Sequence, residues 1–177
     1  VAAKTLATEA RELALSINFN PPIVSAGIDL ILIAARTGDL DGVDSLLRET
    51  TARFETMPGW HEWLWRLRLK QATAELALVK DQLDRCIADA TNAMHLSRTV
   101  RPKYYVLARM TRARARIRSG EKRTAINDAR RAVAVARRIG DPALLAQAIA
   151  LLVAIDGNDR LLLEARLLID RITLALP

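Results

Sequence analysis

The chain has 177 residues with 27 Lys and Arg against 20 Asp and Glu, a formal charge of +7, and 57 of its residues are Ala or Leu. Only seven residues are Gly, six Pro and seven aromatic, a composition that excludes a collagen-like chain, a disulfide scaffold, a disordered tail and an all-β sandwich and predicts an all-α protein. The single cysteine, Cys86, rules out an internal disulfide, and no stretch reaches the roughly 18 to 20 apolar residues of a membrane span, so a cytoplasmic protein without membrane contact is expected.

Apolar residues recur at helical spacing throughout, and punctuation cuts the chain into nine predicted helices. The first covers residues 3–17, with Leu6, Ala10, Leu13 and Ile17 on one stripe, and is ended by Asn18, Asn20, Pro21 and Pro22. A second runs over 23–37 to Gly38, and a third over 40–57 to Pro58 and Gly59. The fourth and fifth cover 60–80 and 83–99. Pro102 opens the sixth, where its missing N–H costs nothing, and Ser119-Gly120 closes it. The seventh covers 122–139; Gly140 is its C-cap, Asp141 the next N-cap and Pro142 the first residue of the eighth, which ends near 155. The ninth covers 159–176.

Four junctions share a turn followed by a fresh helix: Gly38-Asp39-Leu40-Asp41, Asp81-Gln82-Leu83-Asp84, Gly120-Glu121-Lys122-Arg123 and Gly157-Asn158-Asp159-Arg160. They lie 43, 39 and 37 residues apart, and in the first three the sixth residue is small, as Val43, Cys86 and Ala125. Such a period suits a pair of antiparallel helices that hides its apolar face only against its neighbours. With the aromatic opening Trp60 and Trp63, Leu76 to Leu78 before a turn, and the run Ala136-Arg137-Arg138-Ile139-Gly140-Asp141-Pro142, these residues make the chain resemble a tetratricopeptide-type repeat array. The likeness is to the lengthened repeats in helical regions of large bacterial signalling ATPases, nucleotide cyclases and transcriptional activators. Arg112 and Arg116 depart from it, standing where such repeats are commonly apolar. The resemblance implies a right-handed α-α superhelix: hairpins over 21–57, 58–100, 101–140 and 141–177, preceded over 1–20 by the second helix of a repeat whose first helix lies upstream.

Catalytic chemistry has little to stand on. His61 and His95 are the only histidines, Cys86 falls at a small packed position, and no His, Cys and carboxylate group shows metal-ligand spacing or a glycine-rich phosphate loop. No enzyme activity, catalytic residue, metal or cofactor is expected. The charge is more informative. From Arg98 to Arg138 there are 14 Lys and Arg against Glu121 and Asp128 alone, so the rest of the chain is net acidic.

On the sixth helix Tyr105, Arg109, Arg112 and Arg116 share one face, and the corresponding face of the fourth holds Arg66, Lys70 and Thr73. The resemblance places first helices of each pair on a concave surface, so these residues are expected to form a solvent-facing groove for a partner protein or acidic peptide, arginine being a planar fork for oxyanions. The expected function is a protein-interaction or scaffold module of a bacterial regulatory or signalling protein. The alternative is a nucleic-acid-associated transcriptional regulator using the basic 98–138 surface, disfavoured by the lack of stacking aromatics beyond Tyr104 and Tyr105. Trp63 is expected to pack against the preceding hairpin, with Trp60 or Trp65 exposed. On the ninth helix Leu161, Ala165, Leu168 and Ile172 suffice to cover the eighth. Leu163, Leu167 and Leu174 then form a second apolar stripe, expected to support self-association as a homodimer.

Overall fold

The four turn motifs close through left-handed residues: Gly38, Asp81, Gly120 and Gly157 have φ of 76°, 58°, 85° and 71°. Glycine reaches this region without strain, and aspartate is among the few other residues that tolerate it. The computed structural model of the chain describes residues 2–57, 59, 61–97, 100–157 and 159–175, the side chains of Asp159 and Ala175 excepted. Among them it contains nine helices and no strand: α1 (Ala2–Ser16), α2 (Asn20–Thr37), α3 (Val43–Glu55), α4 (Glu62–Val79), α5 (Leu83–Ser97), α6 (Pro102–Arg118), α7 (Lys122–Ile139), α8 (Pro142–Asp156) and α9 (Asp159–Ala175).

Three helix starts differ from expectation by two or three residues, for local reasons. Pro21 and Pro22 begin α2 instead of merely ending α1, because Phe19 is the N-cap and proline is tolerated in a first turn. α3 starts at Val43 and not at 40, since Gly42 holds a second left-handed conformation. α4 starts behind His61, whose φ is 51°; Pro58, Trp60 and Thr99, which the sequence reading also used, lie outside the described residues. Asp141 caps α8 as expected, accepting a hydrogen bond from the Leu144 N–H at 3.1 Å.

Ile28 and Ile31 of α2 are fully buried against α4, which offers Trp65, Leu69, Ala72 and Leu76 at spacings of four, three and four. Each such side chain removed from water contributes about 1.5 to 3 kcal/mol. Trp65 is therefore the core tryptophan, and Trp63 is the exposed one, with the Arg101 guanidinium 6.0 Å from its ring; the expectation for this pair was reversed because the α2-facing stripe of α4 passes through Trp65. Val43, Cys86 and Ala125 are all buried. A Cβ on Gly27 would lie 2.4 Å from Thr50 Oγ1, so α2 and α3 approach too closely there for any side chain.

Direction follows from polar pairs. Asp29 with Arg68 and Arg36 with Glu75 are each 39 residues apart, so α2 and α4 run parallel. Gln71 with Thr111, and the Leu78 carbonyl with Arg118, are each 40 apart and make α4 and α6 parallel too. Arg116 meets Glu121 while Arg109 meets Asp128, so α6 and α7 are antiparallel. The even-numbered helices thus form a layer in which α2 touches α4, α4 touches α6 and α6 touches α8. α5 packs on both α4 and α6, and α7 on both α6 and α8, whereas α3 makes its substantial contacts with α2 alone. Helices in substantial contact are one or two places apart in the chain.

Candidate functional site

Arg109, Arg112 and Arg116 do share a face of α6, but that face turns toward α7 and not toward a solvent-filled groove. All three converge on the carboxylate of Asp128, which is 1% exposed. Arg109 Nη1 donates to Oδ1 at 2.5 Å, Arg112 donates twice at 2.8 and 2.7 Å, and Arg116 Nη1 donates to Oδ2 at 2.8 Å. Arg109 also donates to the Tyr105 hydroxyl at 2.6 Å and lies 4.7 Å from its ring centroid, and Arg112 donates to Thr91 Oγ1 at 2.9 Å. Three cations on one acid leave an excess of positive charge, offset at the edge by Glu121, 3.7 Å from Arg116. The Arg109 residue is 5% exposed. The predicted accessible stripe is here an internal ion cluster: an arginine between two packed helices must bring a carboxylate with it, and Asp128 is that carboxylate.

Arg66 and Lys70 keep more solvent. Lys70 donates to Asp89 at 2.8 Å, and Arg66 pairs with Glu62 and lies over the Phe54 ring. They border a cleft of about 600 Å³ between α3, α4 and α5 that the α6 arginines do not reach. The structure therefore does not bring the six expected groove residues into one surface.

A second opening of about 600 Å³ lies along the layer of even helices, lined by residues of α2, α4, α6 and α8. Glu75 contributes to it from the side of α4 opposite Arg66, nine residues being about 900° of helix, a half-turn beyond two full ones. Arg36 and Glu75 form a two-point pair at 2.8 and 3.0 Å. That bond holds the Arg36 pKa above its usual value against the opposing pull of burial. Lys103 pairs with Asp141 at 2.7 Å, and this contact, together with the Leu144 N–H, lowers the Asp141 pKa. Both acids of the groove are thus spoken for. Arg114 makes no hydrogen bond or ion pair among the described residues. Desolvation by the groove walls lowers its pKa, with Glu75 opposing and Arg36 adding to the effect. The residue as a whole is nevertheless exposed. Leu107 supplies apolar surface beside it, backed by the buried Met110 and Leu144.

Sequence reasoning passed over Arg36, Glu75 and Arg114. The signal was present in the opposite charges 39 residues apart, Asp29 with Arg68 and Arg36 with Glu75, which mark the seam between parallel helices.

Elsewhere, Lys122, Arg123, Arg131 and Arg138 are exposed on α7 without ion pairs among the described residues, while Arg130 and Arg137 are held by Asp156 and Glu164. On α9, Ala165 is buried with Leu161 and Leu168 packed beside it, and Leu163, Leu167 and Leu174 are 62%, 55% and 86% exposed. Burial pushes the Cys86 thiol up to about 12, so it stays protonated. Among the described residues there is no group of His, Cys, Asp and Glu that could hold a metal ion, and no helix is long and apolar enough to cross a membrane. In comparisons with known proteins, no family model and no curated protein matches the chain.

Proposed function

We propose that the chain is a protein-interaction module, a tetratricopeptide-type helical array that holds an acidic segment of a partner along the layer formed by α2, α4, α6 and α8. The observation that carries this reading is Arg114, an arginine without a carboxylate partner in a groove where Arg36 and Lys103 already have theirs. A guanidinium partly stripped of water, sensing Glu75 but bonded to no carboxylate, gains most from an incoming oxyanion, and the neighbouring apolar surface suits an adjacent side chain. Parallel stacking of alternate helices and the contact pattern of near neighbours support the array reading. On the same reading the chain belongs to a bacterial regulatory or signalling protein of the cytoplasm and is not an enzyme. The exposed leucines of α9 offer a second copy an apolar face.

The test is a fluorescence-anisotropy titration with a labelled hexaglutamate peptide. Binding is expected to weaken with salt and to fall at least tenfold in Arg114→Glu. An affinity unchanged by Arg114→Glu, or no binding at low salt, sinks the groove assignment. A second reading, nucleic-acid association, is favoured by the unpaired cations of α7, since Arg123, Arg131 and Arg138 lie within about 80° of one another on the helix. It predicts a steep salt dependence for random DNA or RNA that Arg123→Glu with Arg131→Glu abolishes and Arg114→Glu does not.

A further inference from the structure

The packing is regular beyond α4: each helix from α5 through α8 packs on the one before and the one after it. The regularity fails between α3 and α4, and the cleft of about 600 Å³ sits at that failure, walled by α3, α4 and α5. Its apolar lining comes from Leu47 and Ala52, with the edges of the buried Phe54 and Leu69 behind them. Around this surface stand Arg48, Arg66, Lys70 and Arg85, against Glu55 and Asp89, so the walls carry two more cations than anions. The existing pairings do not use these charges up. Arg48 makes no ion pair among the described residues, Arg85 approaches Asp89 only to 3.9 Å and donates to Gln82 at 3.3 Å, and the one further carboxylate that both sense, Asp44, is already held by Lys80; Arg66 turns to Glu62, outside the cleft lining.

We propose that this cleft binds a small organic anion: a carboxylate, sulfonate or phosphate head on a compact apolar body. Its volume falls within the roughly 300 to 1,000 Å³ of small-molecule pockets. The two halves of the ligand answer the two halves of the lining. The head meets the guanidinium forks of Arg48 and Arg85, and the apolar body replaces water over Leu47 and Ala52 and the edges of Phe54 and Leu69. The site shares no residue with the groove around Arg114, which it faces from the opposite side of α4, so the two stand or fall separately.

The probe is the aromatic sulfonate 1-anilinonaphthalene-8-sulfonate, titrated into the full chain by fluorescence, with amide shifts mapped by NMR. Saturable one-to-one binding is expected, shifting the amides of Arg48, Phe54 and Lys70. Arg48→Glu with Arg85→Glu should weaken it at least tenfold, while Arg114→Glu leaves it unchanged. Both substituted arginines are exposed, and an unaltered helical circular dichroism signal verifies the fold of the double variant. Shifts confined to α9, equal affinity for the uncharged N-phenyl-1-naphthylamine, or indifference to the double substitution overturns the proposal. So does hexaglutamate that shifts the same amides as strongly, because the cleft is then a peptide site.

Discussion

Arg109 of α6 and Asp128 of α7 lie 2.5 Å apart, and neither side chain is more than 6% exposed. Lys70 and Asp89 stand in the same relation between α4 and α5, again nineteen residues apart, but with the lysine 40% exposed. The two pairs differ in what removal of the acid leaves behind. Asp128→Ala strands three arginines between helices and is expected to destabilise by about 3 to 5 kcal/mol, whereas Asp89→Ala leaves a lysine that can turn to water and costs about 1 kcal/mol. Urea midpoints with unchanged slopes measure both. Equal losses for the two variants would show that the α6 cluster is hydrated in solution.

The N-cap of α8 gives a pH signature. Asp141 accepts from Lys103 and from the Leu144 N–H, both of which lower its pKa in the folded state. A depressed carboxylate contributes stability that is complete above its unfolded pKa and is lost as pH falls through the folded value. Asp141→Ala is expected to cost about 1 kcal/mol at pH 7. The difference from wild type should hold down to about pH 5 and shrink below the ordinary carboxylate value of 3.8. A gap that persists undiminished at pH 2 contradicts this assignment.

Cys86 sits sealed among Ala77 and Ala115, its thiol pushed up to about 12 by burial. Ellman's reagent is expected to titrate no thiol in the native protein and one in denaturant. Cys86→Ala should be mild, while Cys86→Leu overpacks the contact and costs about 1 to 3 kcal/mol. Rapid native labelling is the result that goes against the packing.

Leu163 and Leu167 point away from α8 and are more than half exposed. Sedimentation equilibrium is expected to find a dimer that Leu163→Lys with Leu167→Lys converts to monomer. A wild type that stays monomeric at high concentration ends this idea, and a dimer indifferent to the lysines moves the contact elsewhere.

Helix positions were legible because their punctuation is local. Residues 122–139 were expected as a helix and α7 is Lys122–Ile139, bounded by Gly120 and Gly140. The α9 stripes were legible for a similar reason, since only one neighbour, α8, had to be satisfied. The destination of the α6 arginines was not. A helical wheel groups Arg109, Arg112 and Arg116 on one face, yet whether that face meets water depends on Asp128, which reaches it only through the antiparallel return of α7. Arg114 was passed over for the complementary reason: it stands about 140° from Arg109, on a side whose neighbours α4 and α8 are set by tertiary packing.

The contact pattern also bears on how the chain folds. No substantial contact asks it to close a loop longer than one helix and its two flanking turns, so the entropy of loop closure is small at every step and ordering can begin wherever two helices first dock. The unbroken succession from α4 to α8 is the natural place for that beginning. The junction of α3 and α4 is then a natural break: opening that starts from α1 has least to overcome there, and α1 to α3 can fray while the remainder keeps its protection against hydrogen exchange.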